Sequence, residues 1–246
     1  MLIKRVFKVV LVLLAILFLV FSTLRDEVSA SGVSAVALVL LTFLYCRLST
    51  GKRERYFFLF LTTFMVAQLV NFIGWFVELS DENAIDYAYY VSNSLYILSY
   101  LFLIIKVIRY MNLRLIVSKF SIPIFILLVL DIFCVYIVTA SAVSDLGTGE
   151  YILEFIYNAV IMFLLSVALI SYMYRNDNKS MLFLVGSILI VFSEMIQLTY
   201  FYVSDANNLN IIYSVFLVLG FLFFYLQSQA EYTGPVESYT EDQLKA

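Results

Sequence analysis

The sequence predicts an all-α polytopic membrane protein, a single bundle of eight transmembrane helices. Of the 246 residues, 63% are hydrophobic and 13% are charged, whereas a soluble domain is nearer half apolar and a quarter charged. The apolar residues form continuous runs, and about 20 such residues are enough to cross a bilayer. The runs do not alternate residue by residue, so the pattern excludes a transmembrane β-barrel.

Eight apolar runs separated by short polar connectors are expected to be the membrane spans, and their predicted bounds are about 9–24, 30–48, 56–79, 87–109, 120–143, 151–174, 181–203 and 211–229. We expect residues 1–229 to form one transmembrane domain and the polar residues 230–246 to form a flexible cytoplasmic tail. The first run resembles a signal peptide. However, Arg25, Asp26 and Glu27 separate it from the small residues of a cleavage site, so we expect a retained helix.

Lysine and arginine are strongly biased to one side of this topology. Fourteen of the 15 lie at the N-terminus, in or beside the connectors after runs two, four and six, or in the tail; only Arg25 lies on the other side. The positive-inside rule therefore predicts that both termini are cytoplasmic. We expect a multi-pass protein of a bacterial inner (cytoplasmic) membrane. Lys106 and Arg109, at the end of run four, are expected to snorkel to the cytoplasmic headgroups.

Several function classes are disfavoured by what the sequence lacks. There is no histidine, which excludes histidine-based zinc sites, Ser-His-Asp catalysis and histidine-ligated haem. Cys46 and Cys134 fall at different predicted depths, so we expect no disulfide. We predict no metal and no cofactor; retinal in particular is disfavoured because the last two runs contain no lysine. The sequence has no basic face interleaved with aromatic residues, so we expect no nucleic-acid partner.

Two carboxyl groups lie well inside predicted spans and have no route to the membrane surface. Glu194 lies within the seventh run, with Gln197 one turn later, and Asp131 lies at mid-depth in the fifth run. A charged residue at membrane depth costs about 2.5–3.5 kcal/mol on insertion scales, which makes both residues functional-site candidates. Without a nearby cation each is expected to hold its proton at neutral pH, the state that a general acid needs. We therefore predict catalytic roles for Glu194 and Asp131.

Polar side chains on the third, fourth, sixth, seventh and eighth runs recur at helical spacing. Most fall in the same predicted half of the bilayer as Glu194, which predicts one polar pocket. The residues predicted to bind a substrate there are Gln68, Asn71, Trp75, Asn93, Tyr96, Glu154, Asn158, Gln197 and Tyr213. The alternative is that such side chains only join neighbouring helices by hydrogen bonds. For Asn71, Asn93 and Gln197 taken singly, that alternative is the favoured one.

These motifs resemble the YhhN family of lysoplasmalogenase-like membrane proteins, which have eight helices. In that family one span ends in a small residue plus Asp, the next carries His-x-x-Tyr, and a later span carries Gly, an apolar run and Ser-Asp. The corresponding stretches here are AQLVN at 67–71, NSLY at 93–96 and GSILIVFSE at 186–194, followed by Tyr213 and Gly220. Three motif positions differ, because Asn71, Asn93 and Glu194 stand where the family has Asp, His and Asp.

The resemblance implies hydrolysis of the vinyl ether bond of a lysoplasmalogen, a lysolipid, with Glu194 as the acid. Because Asn71 cannot ionise, Asp131 or Glu154 would have to replace the family's second carboxyl group. Membrane lipids or a lysolipid are the predicted partners, and a homo-oligomer is left open. Two alternatives stand beside the hydrolase: a non-catalytic lipid-binding or scaffold protein, and a small transporter. The runs lack the Gly- or Pro-interrupted helices expected at a transport site, which disfavours the transporter.

Overall fold

The computed structural model describes residues 2–48, 54–77, 85–141, 147–203 and 206–231. Helices account for almost all of this part of the chain, which confirms the prediction of an all-α polytopic bundle. The nine helices found there are α1 (Leu2–Thr23), α2 (Glu27–Leu48), α3 (Arg55–Gly74), α4 (Tyr87–Ile108), α5 (Leu113–Lys119), α6 (Ser121–Ser141), α7 (Thr148–Arg175), α8 (Asn178–Tyr202) and α9 (Asn207–Gln229).

Eight of the described helices are long and apolar enough to cross a membrane. Each corresponds to one predicted run, which supports an integral membrane protein that passes through the bilayer several times. The helix that the sequence did not predict is α5, which has seven residues and begins after Asn112, whose side chain accepts a hydrogen bond from the backbone N–H of Leu115. Of the basic residues used to predict orientation, Lys52, Arg53 and Lys245 lie outside the described residues.

Seven of the spans form a closed ring. Around it, α1 packs on α2, α2 on α3, α3 on α4, α4 on α7, α7 on α8, α8 on α9, and α9 returns to α1. The remaining span, α6, packs mainly on the outside of α7. Its apolar side chains are therefore mostly exposed, as expected for a helix that faces lipid. The ring is what positions the polar residues, because one side of each of its seven helices faces a common interior.

An aromatic core fills the half of the ring that contains the C-terminal ends of α4 and α9. The Phe60 ring lies within 6.4 Å of the rings of Tyr100, Phe221 and Phe224, measured between centroids. All four side chains are buried. Residues 57, 60 and 64 of α3 belong to this core, whereas Gln68 and Asn71 of the same helix, and Trp75 just after its end, line a cavity. The core therefore closes one half of the ring, which we call the basic end, and leaves the other half, the acidic end, open for polar groups.

Helices α8 and α9 approach closely because two glycines lie at their contact. A Cβ atom on Gly186 would lie 2.7 Å from Cδ1 of Phe224, and one on Gly220 would lie 2.8 Å from Cδ1 of Ile190. Both distances are shorter than any normal carbon–carbon contact. The two small residues thus set the spacing of this helix pair, as small residues commonly do in membranes.

Lys106 does not snorkel as the sequence predicted. Its side chain is 1% exposed, and Nζ lies 2.6 Å from Oε2 of Glu54 and donates to Oε1 of Gln227 at 3.0 Å. Lys179 pairs with the other oxygen of Glu54. Lys106 lies on the inward face of α4. There the carboxylate of Glu54, just before α3, takes the place of the solvent that a snorkelling side chain would reach. This ionic cluster joins α4, α8 and α9 to the start of α3 at the basic end.

Candidate functional site

A polar cavity of about 310 Å³ lies inside the acidic half of the ring. All seven ring helices contribute to its lining. Ten of the eleven predicted site residues line it: Gln68, Asn71, Trp75, Asn93, Tyr96, Glu154, Asn158, Glu194, Gln197 and Tyr213. The structure therefore brings together side chains that are up to 145 residues apart in sequence, from Gln68 to Tyr213, and that were grouped by their predicted depth.

Glu194 sits at the floor of the cavity, against the aromatic core. The hydroxyl of Tyr100 on α4 donates a hydrogen bond to Oε1 of Glu194. Tyr157 of α7 also lies within hydrogen-bonding reach of the same carboxyl group. Two tyrosines from neighbouring helices thus fix the orientation of a carboxyl group that has no cationic partner among the residues lining the cavity.

Gln68 connects three helices on one side of the cavity. Its Nε2 donates to Oγ of Ser34 on α2 at 2.7 Å, and its Oε1 accepts from the hydroxyl of Tyr96 on α4 at 2.5 Å. Both ends of the amide are therefore satisfied. This geometry is the helix-joining role that polar residues often have in membrane proteins, and it also presents Gln68 and Tyr96 to the cavity.

A second carboxyl group, Glu154 of α7, lies on the same lining. The hydroxyl of Tyr89 on α4 donates to Oε1 of Glu154 at 2.7 Å. The amide groups of Asn93 and Asn158 donate to carbonyl oxygens one turn earlier in their own helices, those of Tyr89 and Glu154, each at 2.9 Å. Their amide nitrogens are thus occupied locally.

A third carboxyl group, Glu27, was missed by sequence reasoning. Glu27 is the first residue of α2, lines the cavity, and accepts a hydrogen bond from the hydroxyl of Tyr200 on α8 at 2.9 Å. Its charged neighbours in sequence suggested a solvent-exposed connector. The sequence did contain a signal for a helix start at this point, because Asp is a preferred N-cap residue. In the structure the side chain of Asp26 accepts a hydrogen bond from the backbone N–H of Ser29 at 3.0 Å, and Glu27 begins α2.

The three carboxyl groups of the cavity share one arrangement. Each accepts a hydrogen bond from a tyrosine on another helix: Tyr200 for Glu27, Tyr89 for Glu154 and Tyr100 for Glu194. Among the described residues, no lysine or arginine lines this cavity. The described lining of the site therefore carries three acidic side chains and no basic one.

Asp131 is the one predicted site residue that lies elsewhere. It is on α6, outside the ring, and its Oδ2 accepts a hydrogen bond from Oγ of Ser166 on α7 at 2.7 Å. The contact joins α6 to the ring. Asp131 does not line the polar cavity, and we do not include it in the chemistry of that site.

An apolar groove of about 490 Å³ adjoins the polar cavity. It runs between α1, α2 and α9, and apart from Lys8, Ser34 and Tyr225 its lining is apolar. Phe18, Ser34 and Leu217 line both spaces. The cavity and the groove thus meet at these three residues, so a polar space continues into an apolar one.

No family model, no curated protein and no solved structure matches this chain. The resemblance to the YhhN family accordingly remains a prediction from the short motifs quoted above.

Proposed function

We propose that this integral membrane protein binds a single-chain lipid amphiphile, with the head group in the polar cavity and the tail in the apolar groove. The observation that carries the proposal is the junction at Phe18, Ser34 and Leu217, where the two spaces share their lining. Ligand sites of this kind combine a mainly apolar space with a few placed polar groups.

The residues of α9 support the same division. Asn210, Tyr213 and Leu217 line the cavity, and Leu217, Phe221 and Tyr225 line the groove. Their spacings of three and four residues place them on one face of the helix. A molecule lying along this face would meet polar side chains first and apolar ones afterwards, which is the polarity profile of an amphiphile.

The length of the groove fits one lipid tail. On α1 the lining extends from Lys8 to Leu19, which corresponds to about 17 Å at 1.5 Å per residue. The hydrocarbon region of a bilayer is about 30 Å thick, so one tail in one leaflet occupies about half of that thickness. A second tail would need space outside the lined groove.

The proposal is tested by crosslinking with a single-chain amphiphile that carries a diazirine at the end of its tail. Crosslinks are expected on the groove residues of α1, α2 and α9. Ala37→Phe, which adds a ring inside the groove, should reduce them, whereas Val129→Phe on the exposed face of α6 should not. Crosslinks spread evenly over the bundle, with α6 labelled as strongly as α9, would show ordinary lipid contact and overturn the proposal.

A second candidate function is hydrolysis of a lysolipid vinyl ether, as the YhhN resemblance implies. It is favoured by two carboxyl groups on one lining, Glu194 and Glu154. Glu194 would give its proton to the alkenyl carbon, and water would add to the resulting oxocarbenium ion as a base takes its proton. The hemiacetal then releases a fatty aldehyde and the glycerol hydroxyl. Glu154 is the candidate base, since Asn71 cannot accept a proton.

Aldehyde release from a lysoplasmalogen by the purified protein tests this second candidate. Turnover by the wild type, its loss in Glu194→Gln and its retention in Asp131→Asn would support Glu194 as the acid. Asp131→Asn is the matched control because it removes a membrane-depth carboxyl group that does not line the cavity. A folded wild type that releases no aldehyde would leave amphiphile binding as the function.

We also propose a bacterial inner membrane as the location, with both termini in the cytoplasm. The distribution of lysine and arginine supports this orientation. A cysteine added after Ala246 in a Cys46→Ala, Cys134→Ala background should resist an impermeant maleimide in intact cells and react after lysis. Labelling in intact cells would reverse the orientation.

A further inference from the structure

We infer that the head group held by the polar cavity is a protonated amine that carries no phosphate. This inference deepens the first proposed function, amphiphile binding, and rests on it, because it names the chemistry of the head for the amphiphile whose tail occupies the groove. It is incompatible with the second candidate function, since the head of a lysoplasmalogen carries a phosphate.

The charge of the lining is the first argument. Glu27, Glu154 and Glu194 all line the cavity, and no lysine or arginine from the described part of the chain accompanies them. A phosphate-bearing head would place its negative charge among these acidic side chains, in a partly desolvated space whose described lining offers no cation, which is strongly unfavourable. An ammonium group has the opposite sign and would donate charge-assisted hydrogen bonds to the carboxylates.

An unsatisfied acceptor is the second, independent argument. Asn210 lines the cavity and is 1% exposed. Its Nδ2 donates to the backbone oxygen of Ser22 at 3.1 Å, but its Oδ1 has no hydrogen-bond partner within the described residues. A buried acceptor without a donor costs free energy. An ammonium group offers up to three N–H donors and no acceptor, which suits this atom.

The position of these groups relative to the groove is the third argument. Glu27 is on α2 and Asn210 is on α9, and these two helices also form the groove. Tyr200 connects them, since its hydroxyl donates to Glu27 and lies 3.5 Å from Nδ2 of Asn210. A tail lying between α1, α2 and α9 would therefore place its head beside Glu27 and Asn210. Aromatic rings of the lining, including Phe201 and Tyr202, add surfaces that attract organic cations.

Three probes with the same tail and different heads test the inference: dodecylamine, 1-dodecanol and dodecyl phosphate. Trp75 is the single tryptophan of the chain and lines the cavity, so its fluorescence reports on head-group occupancy. Titrations use the whole 246-residue chain in phosphatidylcholine nanodiscs at pH 7, with free concentrations corrected for partition into empty nanodiscs. At this pH an alkylamine is protonated, as a lysine side chain is.

Dodecylamine is expected to bind at least about tenfold more tightly than 1-dodecanol, the factor that one charge-assisted hydrogen bond supplies. Dodecyl phosphate is expected to bind most weakly. Glu27→Gln and Glu154→Gln, which remove charge and keep shape, should each reduce the preference for the amine. Asp131→Asn should leave it unchanged, because Asp131 lies outside the cavity.

The failures of the two proposals are distinguishable. Saturable binding of all three probes with equal affinity would overturn the ammonium inference and leave the amphiphile proposal standing. Tightest binding of dodecyl phosphate would also overturn the inference. A Trp75 signal that responds saturably to none of the probes would overturn both.

Discussion

The hydroxyl of Tyr100 on α4 donates a hydrogen bond to Oε1 of Glu194 on α8, at the boundary between the aromatic core and the polar cavity. Tyr100 is fully buried in the core, whereas Glu194 lines the cavity. The bond therefore ties the orientation of the carboxyl group to the packing of the core. It links two helices that are not adjacent in the ring, because α7 lies between them.

Tyr100→Phe is expected to destabilise the protein modestly. The variant removes one donor to Glu194 while Tyr157 remains within reach. Hydrogen bonds between membrane helices contribute about 0.6 kcal/mol on average and at most about 1.7 kcal/mol. Reversible unfolding in mixed micelles should show a loss in this range for Tyr100→Phe. A larger loss would mean that Tyr157 does not compensate.

Gln68 and Tyr96 are expected to be energetically coupled. Their hydrogen bond measures 2.5 Å and joins α3 to α4. Gln68→Leu also breaks the 2.7 Å bond to Ser34, so it should cost more than Tyr96→Phe, which breaks one bond only. A double-mutant cycle on the free energy of unfolding should give a coupling energy of about 0.5–1.5 kcal/mol. Additive single and double variants would show that the contact contributes nothing.

The ionic cluster at the basic end is expected to depend on Glu54 more than on either lysine. Glu54→Gln leaves the ammonium groups of Lys106 and Lys179 without their shared carboxylate. Removing one member of a buried ion pair typically costs about 3–5 kcal/mol. Lys106→Met should cost less, since Glu54 keeps Lys179 and the methionine side chain suits the aromatic surroundings. Equal losses in the two variants would contradict this account.

Acidification should weaken the same cluster. Burial alone would raise the pKa of Glu54, but the ammonium groups of Lys106 and Lys179 outweigh it and hold the pKa below its ordinary value of 4.5. A lowered pKa means that the carboxylate stabilises the folded state at neutral pH and that this contribution disappears as pH falls below about 4.5. The melting temperature of the wild type should therefore drop between about pH 5 and pH 3 by more than that of Glu54→Gln. Parallel pH profiles would argue against the ion pairs.

Gly186→Ala is expected to separate α8 from α9. The added methyl group would lie 2.7 Å from Cδ1 of Phe224, a ring that is fully buried in the core and cannot move aside. Overpacking of this kind costs about 1–3 kcal/mol. The measurement is again the free energy of unfolding in mixed micelles. The methyl of Gly220→Ala instead meets the Ile190 side chain, so Ile190→Ala should partly rescue Gly220→Ala but not Gly186→Ala.

The eight spans could be predicted because hydropathy and length alone identify a transmembrane helix. Helix α5 could not, since seven residues beside a span carry no independent hydropathic signal. The ring order was also beyond the sequence. Helix α4 packs against α7, although α6 lies between them in sequence. Nothing in the sequence of α6 distinguishes a helix outside the ring from one within it.

The polar cavity was largely predictable because Asn71, Asn93, Glu154 and Glu194 share a depth, and depth can be read from position in a span. Direction cannot be read in this way. Asp131 lies at a similar depth but faces Ser166 outside the ring. The groove was missed for the same reason, because the apolar side chains that line it have the same composition as those that face lipid. Lys106 was misjudged because its partner Glu54 is 52 positions away.

The central claim, that one amphiphile occupies the cavity and the groove together, is tested most directly by native mass spectrometry of the protein extracted from its own membrane. The account predicts one bound single-chain amphiphile per wild-type chain, lost in Ala37→Phe and retained in Val129→Phe. A wild-type protein that carries no single-chain molecule, or one retained equally in Ala37→Phe, would contradict it.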